Sequence, residues 1–157
     1  MNPGSETAVL RGMGGGAVAT VAMSAVMLAA QKGGFMGKLP PEKITEATLD
    51  SLQIDRKEST QDALSTVAHF AYGIGCGGLF GWLHAKTTSV GVSPAVKGVT
   101  FASCIWLVSY FGWVPALGIM PRPQHDRQGR PTSMLLAHWV FGGVLGSLMH
   151  AVGARSR

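Results

Sequence analysis

Charge is what this chain mostly lacks. Counting histidine as neutral, no Asp, Glu, Lys or Arg occurs in residues 12–31, 63–85, 98–121 or 131–154. These windows are 20 to 24 residues long, and a helix of about 20 apolar residues crosses about 30 Å of hydrocarbon. A soluble core helix buries one stripe and keeps a charged face, so four such windows argue against an ordinary soluble bundle. They predict an all-α, four-helix transmembrane bundle forming a single membrane domain over residues 1–157.

Other absences narrow the function. Every acidic residue lies outside the spans, which excludes paired-carboxylate chemistry within them. No nucleophile motif is present, and the glycine run "GMGGG" is not followed by the Lys-Ser/Thr of a phosphate loop. No residues stand at metal-ligand spacing. The expectation is a protein that is not an enzyme and needs no metal or other cofactor. Cys76 and Cys104 both fall mid-window, which argues against a stabilising disulfide. The net charge of +5 is scattered over loop ends, without the basic stripe that tracks phosphates, so no nucleic acid is expected as a partner. The expected partner is the lipid bilayer.

Glycine, by contrast, is abundant at 22 residues. Pairs and triplets recur at four-residue spacing: Gly12/Gly16, Gly73/Gly77/Gly81 and Gly142/Gly146. In lipid, small residues at this spacing let helix backbones approach closely. The same faces suit a homodimer or another membrane-protein partner. Trp82, Trp113 and Trp139 lie near window ends, where aromatic belts form.

Two stretches read almost alike, "HFAYGIGCGGLFGWLH" from His69 to His84 and "HWVFGGVLGSLMH" from His138 to His150. Upstream, Arg11-Gly12 answers to Lys97-Gly98, and "FMGKLP" to "ALGIMP". The shared order predicts two copies of a helical hairpin, residues 11–84 and 97–150. Each copy crosses twice, which makes a parallel repeat with both termini on one face and two loops on the other. Arg11 and "LAAQ" also fit a secretory signal with its cleavage site, an alternative that the repeat disfavours. In the first loop "PPEKITEATLDSLQI" predicts an amphipathic surface helix, lying on the membrane or capping the bundle, with Pro41 in its first turn and Ile44, Thr48, Leu49 and Leu52 on one face. "STQD", Ser59 to Asp62, reads as the capped start of the second span.

The duplicated His69 and His138 fall at matched depth, roughly 10 Å inside their helices on the loop side. Ionisable groups inside a span are functional candidates, and Tyr72 joins them one turn on. Arg122, His125 and Asp126 in the second loop are the candidate mouth above this site. Proton-linked or small-solute handling is the function these residues suggest; the alternative is a non-catalytic membrane scaffold or complex subunit. Bis-histidine haem ligation fits less well. Spacings of 15 and 12 residues place the two histidines of each helix about 60° and 120° apart, off a shared face.

The order of span, "LPP" with a polar loop, "HFAYG", two spans, "GIMP", a short loop and "HWVFG" resembles the YagU-like inner-membrane proteins of bacteria. The resemblance covers about Gly12 to Met149, with His69, His138, Pro40 and Pro121 as matching positions. It implies a bacterial inner-membrane, multi-pass protein of a family without an established activity and associated with acid resistance.

Overall fold

The computed structural model describes residues 3–55, 57–87 and 91–154, with the backbone alone at Pro3 and 151–154. Its helices are α1 Pro3–Lys32, α2 Pro40–Ser51, α3 Glu58–Lys86, α4 Pro94–Leu107, α5 Val114–Ala116 and α6 Arg130–Ala154. A π-helix over Val108–Trp113 joins α4 to α5, and a 3-10 turn covers Pro123–His125. No strand occurs among the described residues. Four stretches, Gly4–Lys32, Glu58–Lys86, Pro94–Ala116 and Arg130–His150, are long and apolar enough to cross a membrane. Val18, Val21, Val67, Leu79, Val96, Val108 and Leu136 point outward, while glycines, Ala19 and Thr20 fill the seams between helices. This is the build of a multi-pass membrane protein.

Local chemistry sets the helix ends. Ser93 Oγ accepts the Val96 N–H at 3.3 Å and Pro94 opens the first turn of α4. In α2 the Leu39 N–H donates to the Glu42 carboxylate at 2.9 Å. Leucine has no oxygen to return the bond, so the cap is one-sided. The start of α3 differs from the expected one. It lies at Glu58, and the Lys57 carbonyl accepts from both Thr60 and Gln61, which places Ser59–Asp62 inside the helix. Lys38 and Glu46 pair at 2.8 Å across α2, both about two-fifths exposed. The carboxylate raises the Lys38 pKa, but solvent screening leaves such a pair little weight.

The third span is continuous in composition but not in geometry. Pro115 has no N–H to give the Phe111 carbonyl, and its ring crowds that carbonyl. The helix answers by widening to π over Val108–Trp113. Gly112 takes the departure from helical angles, at φ −103° and ψ −107°, which a glycine accepts most readily.

Two glycine seams hold the spans. A Cβ added to Gly12 would strike the Gly77 carbonyl, one at Gly16 the Gly73 carbonyl, and one at Gly81 the Ala8 carbonyl. On the other side Gly98 meets Gly142, and Gly146 meets Pro94. Backbone thus rests on backbone, where Cα–H···O contacts and dispersion replace a hydrophobic force absent from lipid. All seven glycines expected to pack helices lie in these seams, so they are not free to face another copy of the chain. Trp139 adds a side-chain link: its N–H donates to Ser103 Oγ on α4 at 3.0 Å. At the far end Lys86 Nζ lies 5.7 Å from the Trp82 ring.

The seams also fix direction. Residue numbers rise along α1 as they fall along α3, and the same holds for α4 against α6. The loop after α1 meets the loop before α6, with Phe35 against Gly129 and Gly37 beside Arg127 and Arg130. The second and fourth spans therefore run the same way, with both loops on one face. The two halves join unevenly. α1 packs closely on α6, with Gly15 against Leu145, whereas α3 and α4 hardly touch. The bundle is a row, α3–α1–α6–α4, curled until its ends almost meet.

A candidate solute site between the third and fourth helices

The open seam leaves a cavity of about 290 Å³ on the loop side. Thr20, Met23 and Met27 of α1 and Met134, His138 and Phe141 of α6 form its back. Ser65, His69, Tyr72 and Cys76 of α3 face Ile105, Trp106, Ser109, Tyr110 and Trp113 across it, and Pro40, Pro41, Ile44 and Thr45 of α2 lie over its end. Of the two placements open to this amphipathic helix, the membrane surface or the end of the bundle, the structure shows the second. Its Pro40 and Thr45 are buried, while Thr48 and Leu52 of the expected apolar face are exposed.

The two histidines come together here. His138 is buried, and its Nδ1–H donates to the Met134 carbonyl at 2.8 Å, which fixes the tautomer and leaves Nε2 with a lone pair when the ring is neutral. His69 lies within electrostatic range of it, with its own Nε2 buried and unpartnered. Their packing environments differ, however. Gly12 touches Gly77 and Gly81, whereas Gly98 touches Gly142 and Gly146. Aligning the histidine motifs would instead match Gly77 with Gly146. The two seams therefore differ in register by four residues, or about 6 Å at 1.5 Å per residue. His69 stands two turns from its seam contact and His138 one.

Tyr72 lines the cavity and is half exposed, near Ser109 across the open seam and Cys76 on its own helix. None of the three expected mouth residues is among those lining the cavity, although Asp126 is tied to its wall through Tyr110. Asp126 accepts from Tyr110 Oη at 2.5 Å, from Arg130 Nη1 at 2.6 Å and from the Arg127 N–H at 2.7 Å. The Arg130–Asp126 pair has side-chain exposures of 7% and 2%, so it is an ion pair withdrawn from water. Arg122 and His125 are exposed and outside the cavity wall. Toward the other face, His84 stacks on Phe80 with centroids 5.9 Å apart, and His150 is exposed.

Sequence reasoning missed Trp106, Tyr110 and Arg130. Trp106 and Tyr110 stack at 5.8 Å one turn apart, and Tyr110 carries the wall of the cavity into the Asp126 network. The i,i+4 spacings of Trp106 with Tyr110 and of Asp126 with Arg130 were the available signals. Among the described residues no three His, Cys, Asp or Glu side chains are placed to hold a metal ion. No curated protein and no solved structure matches the chain. Residues 6–157 match the family of unknown function DUF6789, and the chain belongs to that family.

Proposed function

We propose that this is a bacterial inner-membrane protein that handles a small solute in its loop-side cavity, with proton exchange through His69 and His138 and no covalent chemistry. The observation that carries this reading is the convergence of two intramembrane histidines on one uncharged cavity. Such rings inside a span are expensive unless they serve a path or a ligand, and imidazole exchanges protons near neutral pH. The equal direction of the second and fourth spans supports descent from a duplicated hairpin, and the YagU-like resemblance supports a role under acid stress.

The test is proton flux into liposomes that trap a pH-sensitive dye. After an external acid jump, vesicles with wild-type protein acidify faster than empty ones, and the double variant His69→Gln/His138→Gln returns the rate to that of empty vesicles. Flux that survives the double replacement removes the histidines from the path. Absence of flux, together with stoichiometric co-purification of another membrane protein, favours the scaffold reading.

A further inference from the structure

The cavity is open, and its borders fix the direction. α1 and α6 close its back, and α2 closes the loop end with Pro40, Ile44 and Thr45. Toward the other face Phe80 meets Phe101, with ring centroids 5.4 Å apart, one turn past Cys76 and one turn before Ile105. What remains is a slot between α3 and the third span. Ala68, Tyr72 and Trp113 at its rim line the cavity and are also exposed. All three belong to stretches long and apolar enough to cross a membrane, so the slot faces hydrocarbon rather than water.

The inner surface suits the same surroundings, being almost wholly apolar. Its nitrogens and hydroxyls are largely turned away or engaged. The Trp106 Nε1–H and His69 Nε2 are sealed within the protein, Thr20 Oγ1 donates to the Gly16 carbonyl at 2.7 Å, and His138 Nδ1–H is held by Met134. A buried water needs about two to four polar partners. An ion would meet no Asp, Glu, Lys or Arg among the described lining residues and would lose its hydration without return. Apolar space of about 150 Å³ already stays dry and takes up hydrocarbon, and here there is about 290 Å³. Met23, Met27, Met120 and Met134 line it, and methionine adapts to an irregular, flexible guest.

We propose that an acyl chain of a bilayer lipid enters through this slot and fills the cavity, its headgroup staying in the loop-side leaflet. The bilayer is the solvent at the opening and supplies this occupant in excess. The inference goes beyond the proton reading and holds whether or not the histidines exchange protons. A solute handled in the cavity has to displace the chain.

The test uses the full chain with Trp106 as its lone tryptophan, made by Trp82→Phe, Trp113→Phe and Trp139→Phe. It is reconstituted in phosphatidylcholine bilayers whose acyl chains carry bromine at mid-chain, a contact quencher of indole fluorescence, with unbrominated bilayers as reference. Trp106 emission is expected to fall at least twofold in the brominated bilayer. Ser109→Phe, which fills the cavity, restores most of it; Cys76→Phe gives the same readout should the serine variant not fold. A protein that keeps Trp82 alone, exposed on α3, is quenched equally with and without the filling ring. Trp106 emission unchanged by bromine overturns the proposal. Quenching that survives the filling ring puts the contact on the outer surface of the bundle and overturns it as well. Quenching by acrylamide in the water in place of bromine shows a cavity fed from the aqueous side, which overturns the acyl chain and leaves the solute reading standing.

Discussion

The closed glycine seams and the open seam between α3 and α4 are made from the same kinds of helix, yet they respond oppositely to an added atom. Along Gly12, Gly16, Gly77 and Gly81 the nearest neighbour of a new Cβ is a backbone carbonyl, which no side-chain rotation can move aside. Across the other seam, side chains stand apart around about 290 Å³ of space. The contrast shows where this chain spends its sequence on rigidity and where it leaves room. Close approach needs small residues at the crossing, and the third span offers α3 the bulky Ile105, Trp106 and Tyr110 instead.

Three substitutions sharpen that contrast. The largest effect belongs to Gly77→Leu, which drives a side chain into the Gly12 carbonyl. Overpacking ordinarily costs about 1–3 kcal/mol where neighbours can shift; with backbone as the neighbour the cost is higher, and the hairpin of α1 and α3 is expected to be lost. Circular dichroism and size-exclusion chromatography in mild detergent read this as reduced helicity and aggregation. Next comes Arg130→Ala, which strands the buried Asp126 carboxylate and frees Tyr110. Breaking a buried pair by removing one partner costs about 3–5 kcal/mol, measured as a drop in the midpoint of unfolding by denaturing detergent. Arg130→Met with Asp126→Asn is expected to recover most of the loss. The smallest effect belongs to Ser109→Phe, which places a large ring in the cavity and changes stability by about 1 kcal/mol or less if the space takes it without strain. A Ser109→Phe protein as unstable as Gly77→Leu would show that the two seams are packed alike.

Much of the fold was legible because its signals are local. Uncharged windows mark spans, and glycines four apart mark faces, whatever lies around them. The amphipathic pattern found α2 but could not say what it covers, since the same stripe suits a membrane surface or the end of a bundle. The cavity was hidden because it depends on which two of four helices stay apart, a property no single window holds. The second loop misled for a related reason: three polar residues within one short loop invite one role, but only Asp126 turns inward, held by Tyr110 and Arg130 at either side of the loop. His69 and His138 were found by repetition. The four-residue shift between their seams was not, since the motifs align the histidines while the crossings align Gly77 with Gly142.

The π-helical stretch at Val108–Trp113 has a consequence for how the third span is threaded. Each hydrogen bond of that kind reaches one residue further than an α-helical bond, so the segment holds a surplus residue. In an α-helix one residue is about 100° of rotation. Trimming the surplus would twist the cavity wall and the second loop against each other by that angle, and Tyr110 would then no longer meet both Trp106 and Asp126. The odd residue is the shim that lets one tyrosine touch the greasy chamber and the buried Arg130–Asp126 pair at once.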